Sequence, residues 1–159
     1  MKQLLMAVAL LGVLVCAATG CGKRYIPNTE IEDTELNREI VAFCERYRHA
    51  IEDLNVGLLL SMASPRYFDN SGTPSGDDDY DRSGLEEVLS ERFSKLKAMR
   101  YEIKYRSLHE QMGTVFVEFT YTMSFQYAVG EKTRWSNRTA DNRLELERVD
   151  GSYLILAGM

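Results

Sequence analysis

The sequence of 159 residues carries 19 basic and 24 acidic side chains, which gives a formal net charge of −5. Nucleic-acid binding depends on Lys and Arg side chains that neutralise phosphates, so a mildly acidic chain without a basic cluster argues against that function. The length suits one domain with a substantial core.

The N-terminal segment has the layout of a secretory signal peptide. Lys2 supplies a positive start, and the apolar run from position 4 to position 15 contains no charged residue. This run is shorter than the ~20 apolar residues that a membrane-spanning helix needs. Small residues follow it, as a signal peptidase requires. We therefore predict that residues 1–20 are a signal peptide that is removed.

The end of this segment, Ala18-Thr19-Gly20-Cys21, resembles the bacterial lipobox, in which a small residue precedes a cysteine that receives a diacylglycerol. The resemblance implies that Cys21 is lipidated and becomes the first residue, and that the acyl chains anchor the protein to a membrane. Gly22 stands where an inner-membrane lipoprotein usually has Asp, which implies the outer membrane, facing the periplasm. The alternative is an ordinary secretory signal. After removal of residues 1–20 only Cys44 remains beside Cys21; since a lipidated thiol cannot pair, we predict no disulfide and expect Cys44 in the core.

Helical patterns follow the anchor. Residues 21–35 are predicted to hold a tether and the start of the first helix, because Thr29-Glu30-Ile31-Glu32 matches a capping box. A second, short helix must end before Pro65. Ser83 is predicted to cap a third helix after a short strand at 66–69 and a loop rich in Gly, Ser and Asp. The apolar stripe of the first helix comprises Leu36, Ile40, Phe43, Cys44, Tyr47, Ile51 and Leu54.

Beyond position 97 the apolar period changes to two, which predicts four antiparallel strands. The second of these is long, and a hairpin at 129–132 turns it back. In the returning strand Trp135 occupies the odd series, whereas Leu144 and Leu146 occupy the even one. We therefore predict a β-bulge between Asn137 and Arg143. The apolar segment 153–157 is expected inside the sheet.

This order of elements resembles the nuclear transport factor 2-like superfamily, also called SnoaL-like or ketosteroid isomerase-like. The likeness rests on the segments YRHAIEDLN at 47–55, LLL at 58–60, YFDNSG at 67–72 and YLILAGM at 153–159. It implies an α+β, cone-shaped domain over residues 36–159, in which N-terminal helices pack on a strongly curved, mainly antiparallel sheet. The superfamily contains both enzymes and non-catalytic binding domains.

Asp69 is the candidate catalytic residue that the resemblance implies. Isomerase-like members have a general base at this place inside the cone, and Tyr47 could face the same cavity as a hydrogen-bond donor. A carboxylate in an apolar cavity suits proton transfer near neutrality. The alternative is that Asp69 is a turn former that binds its own backbone. No second acid that could help to stabilise an oxyanion is evident on the long strand.

Metal and cofactor signals are weak. Asp77, Asp79 and Asp81 alternate as calcium ligands do, but Arg82 stands where a calcium loop needs Gly, so a solvated loop is favoured. The two histidines belong to no metal-binding spacing. The sequence contains no phosphate loop, nucleophile elbow or CxxC pair. We predict neither a metal nor a cofactor.

Aromatic residues of the sheet and of the segment before it are the candidate ligand-binding group. Phenolic and apolar walls are typical of small-molecule sites, although the same residues could plug the cone or dock a protein. The candidates are Tyr67, Tyr101, Tyr105, Tyr121 and Trp135. We predict an envelope lipoprotein that is not an enzyme and that binds a small apolar ligand or a protein. A homodimer through the sheet face is one form that the protein contact would take. The alternatives are an isomerase or dehydratase that uses Asp69 and a structural component with a filled cone.

Overall fold

The computed structural model describes residues 22–72 and 76–159. Three α-helices and six β-strands follow one another in this part of the chain. They are α1 (Glu35–Glu52), α2 (Val56–Met62), β1 (Phe68–Asp69), β2 (Tyr80–Asp81), α3 (Arg82–Ser94), β3 (Leu96–Gln111), β4 (Thr114–Val129), β5 (Lys132–Val149) and β6 (Ser152–Ala157). The predicted signal peptide and the predicted lipid site at Cys21 lie outside the described residues.

The architecture is the predicted α+β cone, with helices packed against a curved antiparallel sheet. The main sheet has the order β3-β4-β5-β6, and β1 pairs with β2 in a separate two-stranded sheet. Each strand of the main sheet pairs with its neighbour in sequence, because short turns connect them. The concave face of the sheet and the helices enclose the interior.

The first helix begins later than the capping box predicted. Thr34 caps α1, and its hydroxyl accepts the amide of Asn37. Thr29 instead stabilises a turn, because its hydroxyl donates to the carbonyl of Ile26 and accepts the amide of Ile31. The preceding segment is thus a small hairpin with a bridge between Tyr25 and Glu32, rather than a plain tether.

The buried face of α1 confirms most of the predicted stripe. Ile40, Phe43, Cys44, Tyr47 and Ile51 are buried. Leu36, by contrast, is 44% exposed, because it lies in the first turn, beyond the part of the helix that meets the sheet. Burial raises the pKa of the Cys44 thiol to about 12, so this cysteine stays protonated.

A polar network fixes α1 against β3. The Arg48 side chain is only 19% exposed and donates to the carboxylates of Glu45 and Glu52 and to the carbonyl of Tyr101. Glu52 also accepts the amide of Tyr101, and Glu45 accepts the hydroxyl of Tyr105. Arg48 and Glu52 of the YRHAIEDLN segment therefore satisfy the backbone carbonyl and amide of Tyr101 in β3 and hold α1 against this strand.

The second helix ends as predicted before Pro65, with Ala63 in an extended conformation. Ala63 then forms a parallel bridge with Ile155, and the amide of Ser64 donates to the carbonyl of Ile155 at 2.8 Å. The prediction that 153–157 lies inside the sheet is wrong, because β6 is an edge strand. Its apolar character reflects cover by the end of α2.

A partly buried ionic contact reinforces this junction, in which the Arg66 side chain is 73% exposed and the Glu147 side chain 11% exposed. The carboxylate of Glu147 accepts hydrogen bonds from the hydroxyl of Ser64 and from the guanidinium of Arg66. Ser64 is fully buried and Glu147 is nearly so. The contact joins the connection after α2 to strand β5, since a buried carboxylate needs such partners.

The third helix begins two residues earlier than the predicted cap, Ser83, would place it. Asp81, not Ser83, caps α3, and its carboxylate accepts the amides of Ser83 and Gly84. An Asp accepts these amides well because the helix start is electropositive. Leu85 and Leu89 form the buried face of the helix.

The pairing of β4 with β5 excludes the predicted bulge. The register is continuous from Thr114 opposite Glu147 to Val129 opposite Lys132. No face change is needed, because Trp135 lies on the outer, convex face of the sheet and is 54% exposed. The irregularities are elsewhere, between Tyr105 and Ser107 in β3, at the start of β3, and where β5 meets β6. Such bulges increase the twist and curvature of a sheet.

Candidate ligand-binding cavity

The narrow end of the cone is filled with side chains. Tyr105 and Phe119 pack with ring centroids 6.5 Å apart and are almost fully buried. Tyr67 is buried as well, at 2% exposure. Val117 and Leu144, on neighbouring strands, complete this layer. These side chains therefore form part of the core, and none of them lines the cavity at the wide end.

The wide end of the cone holds a cavity of about 670 Å³, which we call the tyrosine cavity. Its volume falls within the range of small-molecule sites. The walls come from α1, α3 and the concave face of β3, β4 and β5. The lining residues are Tyr47, Ile51, Leu89, Arg92, Phe93, Lys95, Leu96, Met99, Tyr101, Tyr121, Met123, Phe125, Arg138, Ala140, Asp141, Asn142 and Met159.

Three tyrosines form the inner wall of this cavity. Tyr101 stacks on Tyr121 with ring centroids 5.3 Å apart and an angle of 23° between the rings. Tyr47 meets Tyr101 edge to face at 6.5 Å. Burial is the main cause that raises the pKa of Tyr47 and of Tyr101. Their hydroxyls are therefore neutral at physiological pH, and the wall combines apolar ring surface with uncharged polar groups.

Charged residues lie towards the mouth of the cavity. Arg92 extends from α3, with its guanidinium carbon 5.9 Å from the centre of the Tyr80 ring. Arg138 extends from β5, where it is paired with Met123 of β4. Both arginines are exposed. The wide end is thus apolar inside and positively charged at its rim.

Asp69 lies in a different, smaller pocket of about 420 Å³, the Asp69 pocket. Its Oδ2 accepts the hydroxyl of Tyr67 at 3.1 Å and the amide of Gly158 at 2.9 Å. Its Oδ1 accepts the amide of Ser71 at 2.8 Å. These donors hold the carboxylate in place and occupy three of its roughly four lone-pair sites.

Gly158 and Met159 lie between the two spaces. The carbonyl of Met159 accepts the hydroxyl of Tyr80, and its amide donates to the hydroxyl of Tyr67. Asn142 donates to the carbonyl of Gly158. Both spaces share Arg92, Asn142 and Met159 as lining residues. Tyr47 borders only the tyrosine cavity, so the structure does not bring the two predicted catalytic candidates into one site.

The remaining predicted ligand-binding residues have separate places. Tyr101 and Tyr121 line the tyrosine cavity, whereas Tyr67 and Tyr105 lie outside its lining. The hydroxyl of Tyr105 donates to the partly buried carboxylate of Glu45 at 2.8 Å and so is already used within the fold. Trp135 is on the opposite face of the sheet, because it is paired with Gln126, while Phe125 and its alternating neighbours face inwards.

Several lining residues were not identified from the sequence. Arg138, Ala140 and Asn142 share the inward face of β5 with Leu144 and Leu146, since alternate residues of a strand face the same side. The even series could have been followed back from Leu144 to find them. The contribution of Arg92 could not have been found in this way, because only the packing of α3 over the sheet brings this residue to the mouth of the cavity.

Metal-binding geometry is absent from the residues that the structure describes, where no group of three or more His, Cys, Asp or Glu side chains converges. Asp81 of the acidic loop is used as a helix cap. His109 stacks on Phe116 with ring centroids 5.2 Å apart. His49 contacts the guanidinium of Arg48 through a ring nitrogen.

Neither a family model nor a curated protein matches the sequence, but solved structures match most of the chain. A protein from Xanthomonas campestris assigned as a calcium/calmodulin dependent protein kinase II association domain is 20% identical, with a TM-score of 0.64 over 86% of this chain and 90% of that one. ActVI-ORFA from Streptomyces coelicolor is 15% identical, with a TM-score of 0.62 over 77% and 94%. A nuclear transport factor 2-like superfamily protein from Salmonella enterica is 14% identical, with a TM-score of 0.63 over 77% and 87%.

The chain therefore has the nuclear transport factor 2-like fold, as the sequence resemblance predicted. At these identities the likeness defines the fold and not an activity. The fold is shared by enzymes and by non-enzymatic binding domains, so function has to be argued from the site. In residues 22–72 and 76–159, no helix is both long and apolar enough to cross a membrane.

Proposed function

We propose that this protein is a lipid-anchored envelope protein whose domain binds a small apolar ligand in the tyrosine cavity without transforming it. The tyrosine cavity is the observation that carries the proposal. It combines a volume of about 670 Å³ with walls of tyrosine, phenylalanine and methionine. Buried aromatic surface supplies affinity, and neutral hydroxyls supply orientation.

Two alternatives have less support. An isomerase or dehydratase would need Asp69 as a free base, but this carboxylate already accepts three hydrogen bonds and borders a space apart from Tyr47. A base also needs a partner that stabilises the oxyanion. A structural component with a filled cone would need the wide end to be closed, whereas a cavity of about 670 Å³ lies there.

Binding in the cavity can be tested with the neutral fluorophore N-phenyl-1-naphthylamine. The domain 22–159 is a suitable protein, because all the named core residues lie between Ile31 and Ile155. Ala140 lines the cavity and is the cross-strand neighbour of Tyr121, so the indole of Ala140→Trp would fill the space beside that ring. Thr139→Trp is the matched control, since Thr139 is exposed on the outer face.

The proposal predicts that the wild type and Thr139→Trp bind the fluorophore, while Ala140→Trp binds it at least about tenfold more weakly. Circular dichroism must show that Ala140→Trp is folded. Equal binding by both tryptophan variants, or no binding by the wild type, would overturn the assignment of the cavity as the site.

The proposed anchor is tested separately in a diderm bacterium. Full-length wild-type protein is expected in the outer-membrane fraction and to incorporate labelled palmitate. Cys21→Ser should lose the label and leave the membrane, because a protein without its acyl chains has little membrane affinity. Label that persists in Cys21→Ser, or wild-type protein free of label, would contradict the proposed lipidation. Gly22→Asp should move the protein to the inner membrane.

A second copy or another envelope protein could also bind the outer face of the sheet, where Trp135 is exposed. This face is otherwise polar at its centre, with Thr120 bonded to Arg106 and Asp141, and Thr122 within hydrogen-bond distance of Thr139. A polar face with satisfied side chains is a weak docking surface. The cavity is therefore the better supported site.

A further inference from the structure

The charges around the tyrosine cavity are unbalanced. Four charged residues line it, the basic Arg92, Lys95 and Arg138 and the acidic Asp141, whose carboxylate faces the outer side of the sheet. Lys95 forms an ion pair with Glu91 at 2.8 Å, and Asp141 accepts the hydroxyl of Thr120 at 2.6 Å. Arg92 and Arg138 form no ion pair with any carboxylate in the described part of the chain.

These two arginines approach the cavity from different elements. Arg92 belongs to α3 and lies beside Tyr80. Arg138 belongs to β5 and lies on the inward face, opposite Met123. The protein as a whole has a formal net charge of −5, so its long-range field repels anions. A positive rim on an acidic protein is therefore a local feature of this cavity.

We infer that the ligand of the tyrosine cavity is a small aromatic anion, with its ring system against Tyr101 and Tyr121 and its acidic group at Arg92 and Arg138. The inference rests on the proposed function, because it keeps the apolar body of the ligand in the same site and adds one acidic group to it. A guanidinium suits this role, since its planar set of donors matches the oxygens of a carboxylate or sulfonate. The apolar walls account for the ring system, and the neutral hydroxyls of Tyr47 and Tyr101 add no opposing charge.

Two related fluorophores separate the charge from the apolar body. The anion 1-anilinonaphthalene-8-sulfonate differs from N-phenyl-1-naphthylamine by one sulfonate group. Both are titrated into the domain 22–159 and into Arg92→Gln, Arg138→Gln and the double variant. Arg100→Gln is the matched control, because Arg100 is an exposed arginine paired with Ser124, on the outer face of the sheet.

The expected result is a selective loss of affinity for the anion. Each single variant should bind the sulfonate about three- to fivefold more weakly, as for partly exposed charge pairs, and the double variant about tenfold more weakly. Affinity for the neutral fluorophore should stay unchanged in all of them, and Arg100→Gln should behave like the wild type. Added salt should weaken binding of the anion alone.

The outcomes distinguish this inference from the proposed function. Suppose that both fluorophores bind and that Ala140→Trp abolishes the binding of both. If the arginine variants then bind the anion like the wild type, the cavity is a neutral site and the inference is wrong. If neither fluorophore responds to Ala140→Trp, the proposed function itself fails. Equal loss of anion affinity in Arg100→Gln would show a general charge effect and would also overturn the inference.

Discussion

The backbone amide of Gly158 donates a hydrogen bond of 2.9 Å to the carboxylate of Asp69, across 89 positions of the sequence. Gly158 has a φ of +97°, and a Cβ atom built on it would lie 2.0 Å from the carbonyl oxygen of Arg143. Only glycine fits this close approach. The residue that the family resemblance marks as a general base thus serves here as the acceptor that holds the segment after β6.

We predict that Asp69→Asn destabilises the domain by about 1–3 kcal/mol, because it removes a charged acceptor from three donors. Gly158→Ala should cost a similar amount, since the added methyl group displaces the same segment. The double variant should lose less than the sum of the two, because both act on one contact. Urea unfolding of the domain 22–159 measures all three.

The matched controls for this cycle are Asp53→Asn and Gly57→Ala. Asp53 is an exposed acid, and Gly57 lies in α2, where a built Cβ would meet Asn55 Oδ1 at 3.7 Å, an ordinary van der Waals contact. Asp53→Asn should be nearly neutral, and Gly57→Ala should stabilise by about 0.4–1 kcal/mol. If Asp69→Asn is as stable as the wild type or more so, Asp69 would behave like a strained functional residue, and the structural role argued here would be wrong.

Glu147 should give the domain a specific dependence on acid. The hydrogen bond from Arg66, followed by that from Ser64, holds the pKa of Glu147 below its usual value of 4.5. Between the lowered pKa of the folded protein and the usual value of 4.5, the unfolded chain binds more protons at Glu147 than the folded protein does. The stabilisation from this carboxylate is therefore fully present above 4.5 and falls as the pH decreases through this range. Glu147→Gln should therefore lose less stability than the wild type as the pH falls from 4.5 through the lowered pKa of Glu147.

The control for this titration is Glu102→Gln, because Glu102 is exposed and makes no ion pair with a described residue. Its pH profile should follow that of the wild type. An unchanged acid slope in Glu147→Gln would mean that the contact with Ser64 and Arg66 contributes no pH-dependent stability.

Trp135 should be irrelevant to ligand binding in the cavity. Trp135→Ala is expected to leave the affinity for N-phenyl-1-naphthylamine unchanged, because Trp135 is not among the lining residues. Tyr121→Ala should weaken the affinity about fivefold or more, because Tyr121 lines the cavity. A loss of affinity in Trp135→Ala would place the ligand on the outer face.

The same residue reports on self-association, since it is the one tryptophan of the chain. Because Trp135 is 54% exposed, acrylamide should quench its emission strongly and equally at low and high protein concentration. Protection that increases with concentration would indicate that a second copy covers this face, in favour of a homodimer.

The sequence was sufficient for the elements whose patterns are local. The period-two alternation through Tyr101, Ile103 and Tyr105 predicted β3, and Pro65 set the limit of α2. The helix starts were misplaced, because Thr29 and Thr34 both have the chemistry of a cap. Only the hairpin at Tyr25 and Glu32 decides between them.

The parts of the site that escaped prediction depend on tertiary contacts. The predicted bulge would put Trp135 on the same face as Leu144 and Leu146, but the continuous strand register places it outside. The contact of Asp69 with Gly158 and the approach of Arg92 to the cavity join residues that are distant in sequence. No local pattern encodes such pairs, so the choice between a catalytic and a structural Asp69 required the structure.

The most direct test of the account is native mass spectrometry of the domain 22–159, purified gently from a bacterial host, beside Ala140→Trp. We predict that the wild type carries an additional small mass that leaves on denaturation, and that Ala140→Trp lacks it. An apo mass for both proteins under conditions that preserve the fold would contradict the claim that the tyrosine cavity binds a small molecule.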